Sequence, residues 1–155
     1  MSGKVSSGSW IFIALVFFSC TPSPQPIAYG IDGCAYCEMT IMDPRYGTEM
    51  VTKKGKAYKF DSVECLVRYL KENESAMKEA NLLLLTPFSH PETLEDAHRC
   101  TILHSLEIPS PMGMFLTAFS DEATAVKYRD DNGGTLYTWK ELIDKFDSLN
   151  GKDSE

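Results

Sequence analysis

A hydrophobic pattern that occurs twice sets the tightest limit on how this chain can fold. Residues 47–53 and 56–60, joined by the turn pair Lys54-Gly55, predict a β-hairpin. Asp61 with Glu64 three residues on predicts a capping box. Val63, Leu66, Val67 and Leu70 then follow the i, i+3, i+4, i+7 stripe of an amphipathic helix ending near Asn73. The brief apolar run 82–85, soon met by Pro87, predicts a buried strand. After a proline-bearing stretch the order returns: a strand over 97–105, a loop through Pro109 and Pro111, and a strand over 114–119. A helix capped by Ser120 and opened by Asp121 and Glu122 follows. Asn132-Gly133-Gly134 supplies a left-handed stop, after which a strand over 135–139 leads into a terminal helix from Lys140 to about Leu149. Phe60-Asp61-Ser62 and Phe119-Ser120-Asp121 mark the same point in each copy. The expectation is an α+β fold of two similar halves in strand-strand-helix-strand order, residues 34–85 and 97–155, with 86–96 as a linker.

The segment before the first half has a different character. A single charge, Lys4, precedes an unbroken apolar run over residues 10–18. Nine residues are too few to cross a bilayer core as a helix, which needs about 20, but suit the h-region of a secretory signal. Ser19-Cys20 resembles a bacterial lipobox, in which the cysteine is lipidated and becomes the mature N-terminus, although Phe17 and Phe18 are unusual there. The expectation is a signal peptide over 1–19, a lipid on Cys20 and an extended tether over 20–33, begun by the Pro-rich 21–25. That would place the domain in the cell envelope, held at a membrane.

Charge narrows the possible partners. Lys plus Arg total 15 against 22 Asp plus Glu, a formal charge of −7, which is poorly suited to holding a phosphate backbone, so nucleic acid is not expected. Five cysteines in 155 residues are too few for a disulfide scaffold, and each is judged by its surroundings. No nucleophile elbow, phosphate loop or paired carboxylates stand out, so no enzyme is expected.

The densest chemistry is Cys34-Ala35-Tyr36-Cys37-Glu38-Met39. Two thiols separated by two residues can converge on one ion, and a thioether two residues later favours soft ions such as Cu(I). Glu38 stands where a c-type haem site needs His. A tetrahedral all-thiolate zinc site would need both Cys65 and Cys100 brought in from a distance. A thioredoxin-like pair should open a helix, yet Pro44 and Gly47 follow closely. A disulfide between Cys34 and Cys37 remains open as the bland alternative. A second sulfur-rich point is Pro111-Met112-Gly113-Met114, a loop from which a thioether can reach outward. Cys65 falls nearly opposite the apolar stripe of its helix and is either a further thiol ligand or a packing residue. Cys100 reads as a small buried hydrophobe. Among the histidines, His98 is the preferred further metal candidate. His98 and His104, six apart in one strand, would stand roughly 20 Å from each other, too far to share an ion.

Taken in order, Cys34-Ala-Tyr-Cys37-Glu-Met39-Thr-Ile41, Tyr58-Lys-Phe60-Asp61-Ser-Val-Glu-Cys65-Leu66, Pro111-Met112-Gly113, Ala118-Phe119 and Gly133-Gly134 resemble the NosL family, lipoprotein copper chaperones associated with nitrous oxide reductase maturation. The chain departs from the usual pattern at Glu38, where Gly is common, and in the lipobox. The resemblance implies a monomeric Cu(I)-binding lipoprotein on the periplasmic side of a membrane. It would deliver copper, in denitrification, to the enzyme's assembly apparatus, which includes a membrane transporter. It also implies Cys34, Cys37, Met39 and Met112 as ligands. A thiol-disulfide redox protein using Cys34 and Cys37, or a structural lipoprotein, are the rival readings.

Overall fold

A computed structural model describes residues 21–150. The expected signal peptide and Cys20 lie outside the described residues. β1 (Thr48–Thr52) and β2 (Ala57–Phe60) form the hairpin, followed by α1 (Val63–Glu72), a short α2 (Glu74–Glu79) and β3 (Ala80–Leu85). The connection ends in β4 (Glu95–Asp96), and the second half runs a 3₁₀ turn (Ala97–Arg99), β5 (Thr101–His104), β6 (Leu116–Phe119), α3 (Glu122–Asn132), β7 (Thr135–Thr138) and α4 (Trp139–Asn150). No helix among the described residues is long and apolar enough to cross a membrane.

Both sheets are antiparallel, ordered β2-β1-β3-β4 and β6-β5-β7. In each the first strand of the half is central, the second flanks it as a hairpin partner, and the third returns to its other edge after the helix. The α+β class and the repeated strand-strand-helix-strand order therefore stand, and they share one topology. The halves meet in a common core that includes Phe60, Leu66 and Leu70 from the first and Ile102, Leu116 and Trp139 from the second. A smaller cluster of Leu103, Ile108, Phe119 and Ala125 lies under the connecting segment.

That connection is anchored. Phe88 N–H donates to Ala118 O at 2.8 Å, its ring packs against Phe119 and Tyr128, and Glu95 and Asp96 pair with Leu85 and Leu84 as an edge strand. The expected tether is likewise docked from Gln25 onward. Gln25 N–H donates to both carboxylate oxygens of Glu49, at 3.0 and 3.1 Å. Ile27 and Tyr29 lie so close over Gly47 that a Cβ there would sit 2.7 Å from Tyr29 Oη. This cover explains why β1, Glu49 included, is buried along its whole length.

Three local expectations are corrected. The strand expected over 97–105 is broken: Asp96 accepts the His98 N–H at 2.9 Å and caps the 3₁₀ turn, so the strand starts only at Thr101. The separation worked out for His98 and His104 in one continuous strand does not apply. α3 is capped by Asp121, which accepts the Thr124 N–H at 2.8 Å, one residue later than expected. The capping box at α1 is absent: Ser62 rather than Asp61 is the cap residue, its side chain makes no cap bond, and the Asp61 and Glu64 carboxyl groups bond to Met42 N–H and the Ser110 hydroxyl instead.

Candidate metal centre

Residues 30–42 form a miniature antiparallel loop ahead of β1. Gly30 N–H donates to Ile41 O at 2.8 Å, Ile41 N–H to Asp32 O at 2.9 Å, and Gly33 bridges Thr40. At its tip Cys34 N–H donates to Met39 O at 2.8 Å and Glu38 N–H to Cys34 O at 3.0 Å. The turn closes because Glu38 takes φ 63°, the left-handed region that favours glycine. That is a physical reason for glycine at this position in the resembled pattern. The loop is fixed to the first half by Ala35 N–H on Lys59 O at 2.8 Å, by a 2.6 Å ion pair of Lys59 with Asp32, and by Tyr36 Oη donating to Glu72 at 2.7 Å.

Beneath this loop runs α1. Its stripe of Val63, Leu66, Val67 and Leu70 is buried as expected, but Glu64 and Cys65 on the other faces are fully enclosed too. The sulfurs of Cys34, Cys37 and Cys65 lie within 4.8 Å of one another. Sulfurs bound at about 2.3 Å to one ion in a trigonal plane stand about 4 Å apart, so small side-chain rotations suffice to close this set on a metal. Three thiols with no carboxylate or imidazole among them are a soft donor set that fits Cu(I). Cys34 and Cys65 are buried while Cys37 is half-exposed, which leaves an ion approachable over the Cys37 edge.

The electrostatics favour one thiolate. Cys34 is lowered to about 5, first because the Cys65 thiol donates to it, and further because backbone N–H groups of Cys37, Tyr36 and Asp61 point at its sulfur. Cys65 is pushed up by donating to that sulfur and by burial, and Cys37 is pushed up chiefly by burial. Asp61 accepts the Met42 N–H, and burial raises its carboxyl, with the Cys34 sulfur adding to the shift. The two residues that fail to cap α1 therefore serve the loop and its neighbour.

The structure thus brings together Cys34, Cys37 and Cys65. Met39 directs its backbone N–H at the Cys37 sulfur, while its side chain is 60% exposed. Met112 is half-buried against the core that contains Cys34 and Cys65. His98 is apart from the sulfurs, exposed at a cavity of about 390 Å³ with Met77, Asp96 and Trp139. Cys100 is a buried free thiol outside the cluster, pushed up to about 12 by burial. The signal for Cys65 in sequence was its place off the apolar stripe, which by itself favoured packing over ligation.

The NosL family model matches residues 29–146. This chain belongs to the NosL family. Among curated proteins none matches. The crystal structure of the copper chaperone NosL from Shewanella denitrificans is similar at 20% identity and a TM-score of 0.67, over 77% of this chain and 94% of that one. The NosL fold is therefore shared along nearly the whole of that protein, and it encloses the thiol cluster within the matched span.

Proposed function

We propose that this NosL protein carries Cu(I) on Cys34, Cys37 and Cys65 and delivers it as a chaperone rather than acting as an enzyme. The observation that supports the reading is the convergence of three sulfurs from two separate elements, the loop and α1, within 4.8 Å. Met39 and Met112 are further thioether ligands that join by side-chain rotation. His98, which is not among the converging groups, takes no part.

Delivery follows from the burial pattern. Cys34 and Cys65 hold the ion from below, and Cys37, with Met39 beside it, faces solvent. A partner's ligand can bind at that edge before Cys37 leaves, so copper passes by stepwise exchange without being free. Thioethers in the set, unlike the thiols, cannot be captured in a disulfide. The chain is a lipid-anchored, monomeric envelope protein, attached through Cys20 and facing the periplasm. Its client is nitrous oxide reductase, served in denitrification through an assembly apparatus that includes a membrane transporter.

The test is an anaerobic Cu(I) titration of the reduced protein against a chromophoric competitor, with Cys34→Ser, Met39→Leu and Met112→Leu alongside. Tight binding lost in Cys34→Ser and weakened by the methionine changes supports the reading. Failure of the wild type to compete rejects it and turns attention to Cys34 and Cys37 as a redox pair.

A further inference from the structure

Outside the thiol cluster, Glu64 is a buried polar group whose partners come from a loop far away in sequence. Its side chain is fully enclosed, and Oε1 accepts the Ser110 hydroxyl and, at 3.4 Å, the Leu116 N–H. Ser110 in turn accepts the Phe115 N–H at 2.9 Å, and its carbonyl accepts the Gly113 N–H at 3.1 Å. The loop so held is strained. Gly113 takes φ 72° and Phe115 takes φ 56°, a left-handed conformation that a bulky side chain adopts only when its surroundings impose it.

Helix geometry places this loop beside the thiols. Glu64 and Arg68 are i, i+4 neighbours on one side of Cys65. Ser110 grips the first, and Met114 Sδ accepts from Arg68 Nη2 at 3.4 Å. Met112 lies between those two anchors in sequence, half-buried against the core that includes Cys34 and Cys65. Packing alone does not call for a carboxyl group here: an apolar residue of similar volume would fill the same space without the cost of enclosing polar atoms. A buried carboxylate one residue before a candidate ligand, bonded to the loop that carries another, is the arrangement of an outer partner that orients a ligand.

We propose that Glu64 is a positioning residue: acting through Ser110, it fixes the Pro111-Met112-Gly113 turn against α1 so that the Met112 thioether is held at the Cys65 side of the metal centre. The proposal rests on the reading of that centre as a Cu(I) site. Leu at position 112 would keep the bulk of the side chain but lose the sulfur, and Ala at position 110 would keep the sulfur but free the turn.

The test uses the full reduced chain and four variants, Ser110→Ala, Glu64→Gln, Met112→Leu and the Ser110→Ala/Met112→Leu double, in two readouts. Cu(I) competition gives affinity, and ε-¹³C methionine methyl NMR of the metal-free protein reports the Met112 environment. Ser110→Ala is expected to lose about tenfold in Cu(I) affinity, as outer partners of metal ligands do. The double variant should bind no more weakly than Met112→Leu alone. Glu64→Gln, whose amide oxygen still accepts from Ser110, should stay within about twofold of wild type. The Met112 methyl should shift toward its free-chain position in Ser110→Ala while that of Met50 does not move. Equal losses from Ser110→Ala with and without Met112, or an unmoved Met112 methyl, would overturn the proposal. If the wild type fails to compete for Cu(I), the chaperone reading falls, and the methyl spectra alone decide whether the turn is held by Glu64.

Discussion

Replacing Glu38 by glycine should make the protein more stable. Glu38 sits at φ 63° at the tip of the thiol loop, where an L-residue costs about 1–2 kcal/mol. Glycine removes that cost but gives back about 0.5–1 kcal/mol through its freer unfolded chain, leaving a net gain of about 0.5–1 kcal/mol. The glutamate offers little in compensation: it is exposed and takes part in no ion pair among the described residues. For a domain of this size the gain corresponds to a rise of about 2 °C in Tm, measurable by calorimetry and by a matching shift in urea midpoint. Two controls separate backbone from side-chain effects. Glu38→Ala, which keeps the strain, should stay within about 0.5 kcal/mol of wild type. Gly30→Ala, at φ 78° with open space around a new Cβ, should lose about 1 kcal/mol. The bonds that close the loop, Cys34 N–H to Met39 O and Glu38 N–H to Cys34 O, are both backbone and survive, so Cu(I) affinity should not fall. A less stable Glu38→Gly, or a Glu38→Ala that gains as much, would refute the strain argument.

Other changes discriminate further. Gly134→Ala would set a Cβ 2.2 Å from His104 O at φ 109°, so it should lose about 3 kcal/mol or more; a variant with unchanged melting by circular dichroism would contradict that contact. Cys65→Ser should lower Cu(I) affinity by at least about tenfold while Cys100→Ser leaves it unaltered, and equal effects in the competition titration would reject Cys65 as a ligand. Burial raises Glu49 above 4.5, outweighing the Gln25 N–H and Lys59, so its ionised form is the one the fold disfavours. Its contribution is fully present below pH 4.5 and is lost as pH rises through the raised value. Glu49→Gln should therefore remove that decline from the stability-against-pH curve, and a curve parallel to wild type above pH 4.5 would show the carboxylate to be well accommodated.

Much of this fold was legible because its signals are local. The hairpin 47–60, the α1 stripe, the Gly133 stop at φ 69° and the duplicate order each depend on a few neighbouring residues, and each is found where the pattern puts it. What misled were local signals overruled by distant partners. Asp61 and Glu64 have the spacing of a capping box, but Met42 N–H and the Ser110 hydroxyl, far away in sequence, claim them. The break at the 3₁₀ turn depends on Asp96 capping the His98 N–H, which competes with strand formation without leaving a Gly or Pro mark. At the site, the C-x-x-C-x-M spacing located the loop, and the third thiol was a single cysteine whose meaning depends on which element lies over it. Spacing fixes what is close along the chain, and Cys65 is close to Cys34 only after β1 and β2 have turned it back.

The duplication makes the site's position intelligible. Two copies of one topology give two helices, and their fates differ. α3 buries only Ala125 and leaves most of its surface to solvent, as expected of a helix covering one face of a three-stranded sheet. α1 is buried further round: its apolar stripe enters the core shared by the two halves, and Glu64 and Cys65 off that stripe are enclosed as well, Glu64 against Leu116 of the second half and Cys65 under the thiol loop. A side chain enclosed in this way loses the rotamer freedom that a solvated face gives, which favours Cys65 staying turned toward Cys34, while Cys37 on the loop is only half-buried. Under the proposed Cu(I) reading, an enclosed thiol below and a half-exposed, exchangeable one above is the division that holding an ion and giving it up both require.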